Sequence, residues 1–229
     1  MNTPQQTTAK AHPYRHHWLF LIWLLFTVLY FSISKYVQRT GYISVHCPLD
    51  DCIPFCKYFI IPYCLWFLAL GVMTVYLAFR DVQNFKKYMA FVMIGMIPAY
   101  AFFVIFPTGV DFRPAAPEGN GLCELLLRAV YSTDGTENVS ANALPSLHVV
   151  GCIGLFAAAS HTPSIRRSRW YPVLLIADFL IAISTVFVKQ HSILDVFAAL
   201  PWGGLAWWFV YDLLYADTPA ASAVPEDQK

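Results

Sequence analysis

The sequence predicts an all-α, polytopic membrane protein built as a bundle of six transmembrane helices. Of the 229 residues, 58% are hydrophobic and only 13% are charged, and the mean hydropathy is +0.51. A soluble domain of this length needs far more charge on its surface. The apolar residues also occur in long blocks rather than in alternating patterns, which is typical of membrane spans. The net charge is +1, so we expect no nucleic-acid partner.

Six apolar blocks are long enough, or nearly so, to cross a bilayer, which takes about 20 residues. They cover 18–34, 58–79, 88–107, 145–161, 170–188 and 194–214. Helix is the expected form of each block, because lipid offers no partner to unpaired backbone groups. The first block is followed by no small-residue cleavage site, so we interpret it as a retained span rather than a signal peptide. The sequence thus predicts a cytoplasmic tail over 1–17, a membrane domain over 18–214 and a flexible cytoplasmic tail over 215–229.

The basic residues predict the orientation of this domain. Nine of the fifteen lysines and arginines fall on the side that holds both tails and the loops near 80–87 and 161–169, and six fall on the other side. Because loops rich in lysine and arginine stay in the cytoplasm, both tails are expected there. The opposite, outer end of the bundle is then expected to face out of the cytoplasm.

The cysteines leave one question open. Four of them lie in or beside the predicted outer loops: Cys47, Cys52, Cys56 and Cys123. An oxidising compartment could pair them, and a disulfide and free thiols are equally compatible with the sequence. Their spacing fits no common zinc pattern. Cys64 and Cys152 fall in apolar blocks and are expected to be packing residues.

Three polar clusters interrupt the apolar pattern at the edges of spans, where an ionisable residue points to function. They are "FPTGVDFRP" beyond the third block, "PSLH" at the opening of the fourth, and "STVFVKQHSILD" between the fifth and sixth. All three fall on the predicted outer side, so we expect them to converge. Together they supply the candidate site residues Arg113, Ser146, His148, Lys189, His191 and Asp195.

These residue types suit chemistry on a phosphate. His191 and Asp195 are four apart, so at the start of a helix they share a face. The carboxylate can accept from one imidazole nitrogen and leave the other free as a nucleophile. His148 is suited to general acid–base work near neutral pH. Arg113 and Lys189 offer positive charge to phosphate oxygens, and the amides of a helix start at Ser146 point at an anion.

Structural interpretations exist for each residue alone. Ser146 suits a helix N-cap, Arg113 an interfacial cation, and Lys189 a side chain that snorkels to the membrane surface. Asp195 suits a helix N-terminal charge stabilised by the helix dipole. A lone His148 or His191 at a helix end is most often structural. The coincidence of all of them on one side favours a functional site.

Other functional interpretations are weaker. A zinc site from His148, His191 and Asp195 conflicts with the neighbouring cations. A serine hydrolase centred on Ser146 lacks the glycine-flanked elbow of such enzymes. A transporter or lipid-binding protein is the alternative from another class, and Asp178 is the only acid well inside a predicted span.

The three clusters resemble the signature of the type 2 phosphatidic acid phosphatase superfamily, K-x6-R-P, P-S-G-H and S-R-x5-H-x3-D. The similarity covers 107–195, and six spans agree with the membrane members of the superfamily. Phe106, Leu147 and Thr185 stand where the signature has lysine, glycine and arginine. "PSLH" and "KQH-x3-D" are similar to a subgroup that includes inositol phosphorylceramide synthase-like proteins. There the lysine before the histidine, here Lys189, takes over phosphate binding.

The resemblance implies a role for each site residue. His191 attacks phosphorus to form a phosphohistidine and is oriented by Asp195, while His148 protonates the leaving alkoxide and then activates water or an alcohol. The phosphoryl oxygens are held by Arg113, Ser146 and Lys189. No metal or other cofactor is implied.

The implied activity is hydrolysis of a membrane lipid phosphate or a polyprenyl diphosphate at the outer membrane face. If a lipid alcohol replaces water as the acceptor, the same chemistry makes a head-group phosphotransferase, so both outcomes stay open. The stretch "DDCIPFCKYFIIPYCLW" is similar to bacterial relatives of the subgroup and implies a bacterial cell membrane.

Overall fold

The structure, a computed structural model, describes residues 15–133, 135–136 and 139–216. It is an antiparallel bundle of six main helices, with a small sheet and one further helix over one end. The predicted tails fall almost entirely outside the described residues, since the described part begins at Arg15 and ends at 216.

The main helices follow the order of the apolar blocks. They are α1 (Leu21–Thr40, after a 3-10 turn over Arg15–Phe20), α3 (Ile60–Arg80), α4 (Val82–Ile105), α6 (Leu147–His161), α8 (Tyr171–Phe187) and α9 (Ile193–Trp207, continued as a π-helix over Trp208–Leu214). The shorter helices are α2 (Pro48–Cys52), α5 (Leu122–Thr133) and α7 (Pro163–Arg166). The strands are β1 (Ile43–Ser44), β2 (Thr108–Val110), β3 (Gly135–Thr136) and β4 (Val139–Ala141).

The prediction of six membrane-length helices is confirmed only in part. Within the described ranges, four helical stretches are long and apolar enough to cross a membrane: His16–Thr40, Lys57–Arg80, Val82–Ile105 and Ile193–Leu214. The other two, α6 and α8, have 15 and 17 residues. At 1.5 Å per residue they reach about 22 and 26 Å, short of the roughly 30 Å hydrocarbon core.

Each of the two short helices has one end at the candidate site: α6 begins there and α8 ends there. Ser146 caps α6, its hydroxyl accepting a hydrogen bond from the Val149 amide at 3.4 Å. At the end of α8, Lys189 adopts a left-handed backbone with φ 54°. A non-glycine residue in that region ends a helix, and here it turns the chain towards His191.

The core is organised around α6. This helix packs against α3, α4, α8 and α9, and most of its residues are buried. The outward faces of the long helices are apolar instead, with exposed side chains such as Leu21, Leu24, Phe67 and Leu205. An apolar exterior around a packed interior is what helices in contact with lipid require.

Contacts at the far end of the bundle place both limits of the described chain together. His16 Nε2 lies 3.0 Å from the Ala78 carbonyl oxygen, and the Lys87 ammonium lies 5.8 Å from the centre of the Tyr215 ring. The candidate site lies at the opposite end. An even number of main helices between these two limits produces this arrangement.

A four-stranded sheet in the order β1-β2-β4-β3 covers the site end. β1 pairs with β2 in parallel through Ile43 and Thr108, and β4 pairs antiparallel with both β2 and β3. The predicted all-α fold class is confirmed apart from this sheet, since the main elements of the described chain are helices. Its strands have only two or three residues, too few for an alternating pattern to be recognised.

The structure contains no disulfide among its cysteines, all of which lie in the described residues. All six cysteines are free thiols, including the four of the outer loops.

Candidate active site

The central feature of the site is a hydrogen-bonded pair at the start of α9. Asp195 Oδ2 lies 3.2 Å from His191 Nδ1 and also accepts the Ser192 amide at 2.9 Å. Because an ionised carboxylate only accepts, Nδ1 is the protonated nitrogen and Nε2 carries the lone pair. Asp195 is completely buried and His191 is 7% exposed. The predicted pair is therefore formed, with the geometry that orients a nucleophilic imidazole.

A second carboxylate, Asp50, fixes the loop that carries His191. It accepts hydrogen bonds from the Ser192 hydroxyl at 2.6 Å, the Ile193 amide at 2.8 Å and the Cys47 amide at 2.9 Å. Burial alone would raise the pKa of the Asp50 carboxyl, but these hydrogen bonds lower it below its ordinary value. Asp50 thus caps the first turn of α9 and joins α2 to the histidine loop.

His148 lies on the first turn of α6, opposite His191. The two ring centres are 6.0 Å apart. The imidazole of His148 is held between Tyr63 and Trp66 of α3, each with its ring centre 4.2 Å away. Its Nε2 is buried and has no hydrogen-bond partner among the described residues. A buried polar atom without a partner is costly, so packing alone does not account for a histidine at this position.

Both histidines line one cavity of about 630 Å³. It lies between α1, α3 and α4, under α5 and β4. Aromatic side chains dominate its wall: Phe20, Trp23, Phe26, Tyr30, Phe31, Tyr63, Trp66, Phe67 and Tyr100. The cavity therefore joins two imidazoles to a long apolar space, an arrangement suited to a ligand with a polar head and a hydrocarbon chain.

The side chain of Arg113 lies at the same end of the bundle as the two histidines, but its guanidinium contacts backbone carbonyl oxygens. Its guanidinium donates to the carbonyl oxygens of Val139 at 3.0 Å and Tyr131 at 3.4 Å, and it stacks 4.1 Å from the centre of the Tyr131 ring. Burial lowers the pKa of Arg113 to about 10, so the side chain stays charged at neutral pH. The Tyr131 hydroxyl in turn donates to the Val188 carbonyl oxygen at 2.8 Å, which links Arg113 to the loop of His191.

Lys189 and Ser146 have structural contacts in this structure. The Lys189 ammonium donates to the carbonyl oxygens of Asp50 at 2.7 Å and Ile53 at 2.5 Å. Burial lowers the pKa of Lys189, and Asp50 and Asp51 oppose that effect. Ser146 is completely buried as the N-cap of α6. Among the described residues that line the cavity, the two histidines are the only members of the predicted site.

The zinc alternative is not favoured by the arrangement of the side chains. In the described part of the chain, no group of three His, Cys, Asp or Glu side chains is placed to hold a metal ion. Asp195 Oδ2 is already shared between His191 Nδ1 and the Ser192 amide, which suits an orienting carboxylate.

Sequence reasoning missed the residues that support the histidines. Asp50 belongs to a cysteine-rich stretch in which the cysteines are the conspicuous residues, and Tyr63, Trp66 and Tyr131 look like ordinary apolar or interfacial residues. One signal was present for Asp50, since an acid two residues after "CP" suits the third position of a helix begun by proline, here α2. Nothing in the sequence connects it to Ser192, 142 residues away.

Replacement of Asp50 by asparagine is expected to lower the melting temperature in detergent at pH 7 by about 5–10 °C. The variant loses charge-assisted hydrogen bonds worth about 2–3 kcal/mol, and a chain of this length shifts about 2–4 °C per kcal/mol. Because the folded pKa of Asp50 is depressed, its stabilisation is complete above the unfolded value near 4 and is lost as the pH falls through the folded value. The difference between the two proteins should therefore shrink under acid conditions.

Asp51→Asn is the matched control for this prediction. Asp51 is adjacent and has the same chemistry, but its side chain is 69% exposed and its contact with His46 lies at the surface. A surface pair contributes at most about 1 kcal/mol, so this variant should melt within a few degrees of the native protein. Equal melting temperatures for Asp50→Asn and the native protein would contradict the anchoring role.

Comparison with known proteins returns no relative: no protein-family model, no curated protein and no solved structure matches the chain.

Proposed function

We propose that the protein is an integral-membrane lipid phosphatase that hydrolyses a lipid phosphate or polyprenyl diphosphate through a phosphohistidine. One observation carries the proposal: an Asp-oriented imidazole and a second, unpartnered imidazole meet at the end of one aromatic cavity. The motif resemblance of 107–195 supports the same assignment. The membrane location is supported by the four long apolar helices and their apolar outer faces.

The first half of the reaction transfers the phosphoryl group to the protein. His191 Nε2 attacks the terminal phosphorus while the bond from phosphorus to the leaving oxygen breaks. The leaving group is an alkoxide from a lipid phosphate or a prenyl phosphate from a diphosphate. An alkoxide takes a proton from His148, which must therefore enter that step as the imidazolium. Asp195 stabilises the positive charge that develops on His191 through its bond to Nδ1.

The second half returns the protein to its starting state. Neutral His148 takes a proton from water, the resulting hydroxide attacks phosphorus, and the bond from phosphorus to His191 Nε2 breaks. Inorganic phosphate leaves, and both imidazoles recover their initial protonation. The N-terminal end of the α6 dipole supplies positive potential at this end of the cavity, and the charged Arg113, held against the Tyr131 ring and the Val139 carbonyl oxygen, adds to it from behind the wall. The reaction needs no metal in this scheme.

The test is phosphate release by purified protein in detergent. The substrates are a short-chain phosphatidic acid and a prenyl diphosphate, each assayed with and without EDTA. We expect inorganic phosphate from at least one of them and no loss with EDTA. Transfer of the phosphoryl group to an added lipid alcohol without phosphate release would make the protein a phosphotransferase instead. No turnover of either kind would contradict the proposal.

A further inference from the structure

The cavity that holds the two histidines extends far beyond them. Its wall on α3 runs from Tyr63 to Val75, twelve residues or about 18 Å at 1.5 Å per residue. The hydrocarbon layer of one leaflet, which is half of the bilayer core, is about 15 Å thick. The depth of the cavity is therefore close to the length of one lipid chain.

Polar contacts with α3 lie at the deep end of the cavity. The Trp23 indole N–H of α1 donates to the Thr74 hydroxyl at 3.2 Å. One turn further along α3, His16 of the 3-10 turn before α1 contacts the Ala78 carbonyl oxygen. Trp23 and Thr74 both line the cavity. Together with Phe20 they line the end of the cavity away from His148 and His191, and we call this end the floor.

The side of the cavity opens to the outer surface of the bundle. Phe31 of α1 and Phe67 of α3 line the cavity, yet they are 42% and 59% exposed. Residues that belong to both the wall and the exterior mark a gap between the two helices. If the bundle lies in a membrane, as the proposed function requires, this gap faces lipid.

We propose that this cavity binds one hydrocarbon chain of the substrate, admitted sideways between α1 and α3, and that the Trp23–Thr74 floor sets the longest chain it accepts. The inference rests on the proposed function for the identity of the head group. It adds a substrate class: lipids with one chain of about leaflet length inside the bundle, any second chain remaining in the bilayer. The continuity of the cavity with both histidines and its aromatic wall carry this assignment.

Gly71 provides a direct test, because it lines the cavity two-thirds of the way from Tyr63 to Val75, and a Cβ added there meets no atom within 4 Å. In the native protein, KM for single-chain alkyl phosphates should fall about fourfold per methylene until the chain reaches the floor, and then stay constant. In Gly71→Leu the constant region should begin at chains about one-third shorter. Gly204→Leu is the control, because Gly204 is exposed, equally uncrowded and outside the cavity wall.

A binding measurement separates this inference from the proposed function. Alkylphosphonates of the same lengths cannot be hydrolysed, and their effect on the melting temperature reports binding alone. Length-dependent stabilisation without hydrolysis of any phosphate would refute the phosphatase and keep the cavity assignment. Identical length profiles in the native protein and Gly71→Leu would overturn the cavity assignment, whatever the activity. Gly71→Ala, which adds a single methyl group, should shift the profile in the same direction by less and replaces the leucine variant if that fails to fold.

Discussion

Replacement of His191 by alanine is expected to lower phosphate release from every lipid phosphate by more than about 10⁴-fold, because the loss of a nucleophile removes the whole covalent route. The variant should fold normally, since Asp50 still holds the loop through Ser192 and Ile193. The measurement is steady-state phosphate release in detergent, together with the melting temperature.

His46→Ala is the control for this variant. His46 also lies at the site end and also pairs with an aspartate, Asp51, at 3.0 Å, but its side chain is 39% exposed. It should keep native activity. Activity of His191→Ala within tenfold of the native value would exclude His191 as the nucleophile.

Replacement of His148 by phenylalanine should separate its two proton transfers. A phenyl ring keeps the stack between Tyr63 and Trp66 but carries no proton. With alkyl phosphates the rate should fall by about 10²–10⁴, the usual contribution of a general acid. With p-nitrophenyl phosphate the leaving group needs no proton, so the first step should continue. A burst of about one nitrophenolate per protein should then precede slow turnover, because hydrolysis of the intermediate still needs His148.

The matched control is His161→Ala. His161 lies on the same helix at its opposite end, where its Nδ1 contacts the Ala157 carbonyl oxygen at 2.8 Å. It should show neither the burst nor the loss of rate. An equal loss by His148→Phe on alkyl and nitrophenyl phosphates, without a burst, would contradict the role of His148 as the acid for the leaving group.

The sequence alone predicted the features that depend on the spacing of neighbouring residues. The pair His191 and Asp195 is visible as an interval of four residues, and the structure forms it across the first turn of α9. The helix start at Ser146 is likewise a local pattern. The apolar blocks are visible in the composition, although α6 and α8 are shorter than membrane length.

Contacts between residues that are far apart in the chain could not be predicted from the sequence. Lys189 stays a predicted phosphate ligand, and the sequence gives no sign that its ammonium donates to the carbonyl oxygens of Asp50 and Ile53, which are 139 and 136 residues away. The sequence predicted that Arg113 lies at the same end of the bundle as the histidines. Its stacking on Tyr131 could not be predicted, because that contact depends on how α5 packs over the site. The role of Asp50 depends on a contact with Ser192 that no local pattern encodes.

Rapid quenching with a ³²P-labelled lipid phosphate shows whether phosphorus becomes bonded to His191 during turnover. We expect label on the protein that is stable to base and lost in acid. The label should map to the peptide that contains His191, accumulate in His148→Phe with an aryl phosphate, and be missing in His191→Ala. Phosphate release by the native protein with no labelled protein at any quench time, or with the label on another residue, would exclude a phosphohistidine at His191.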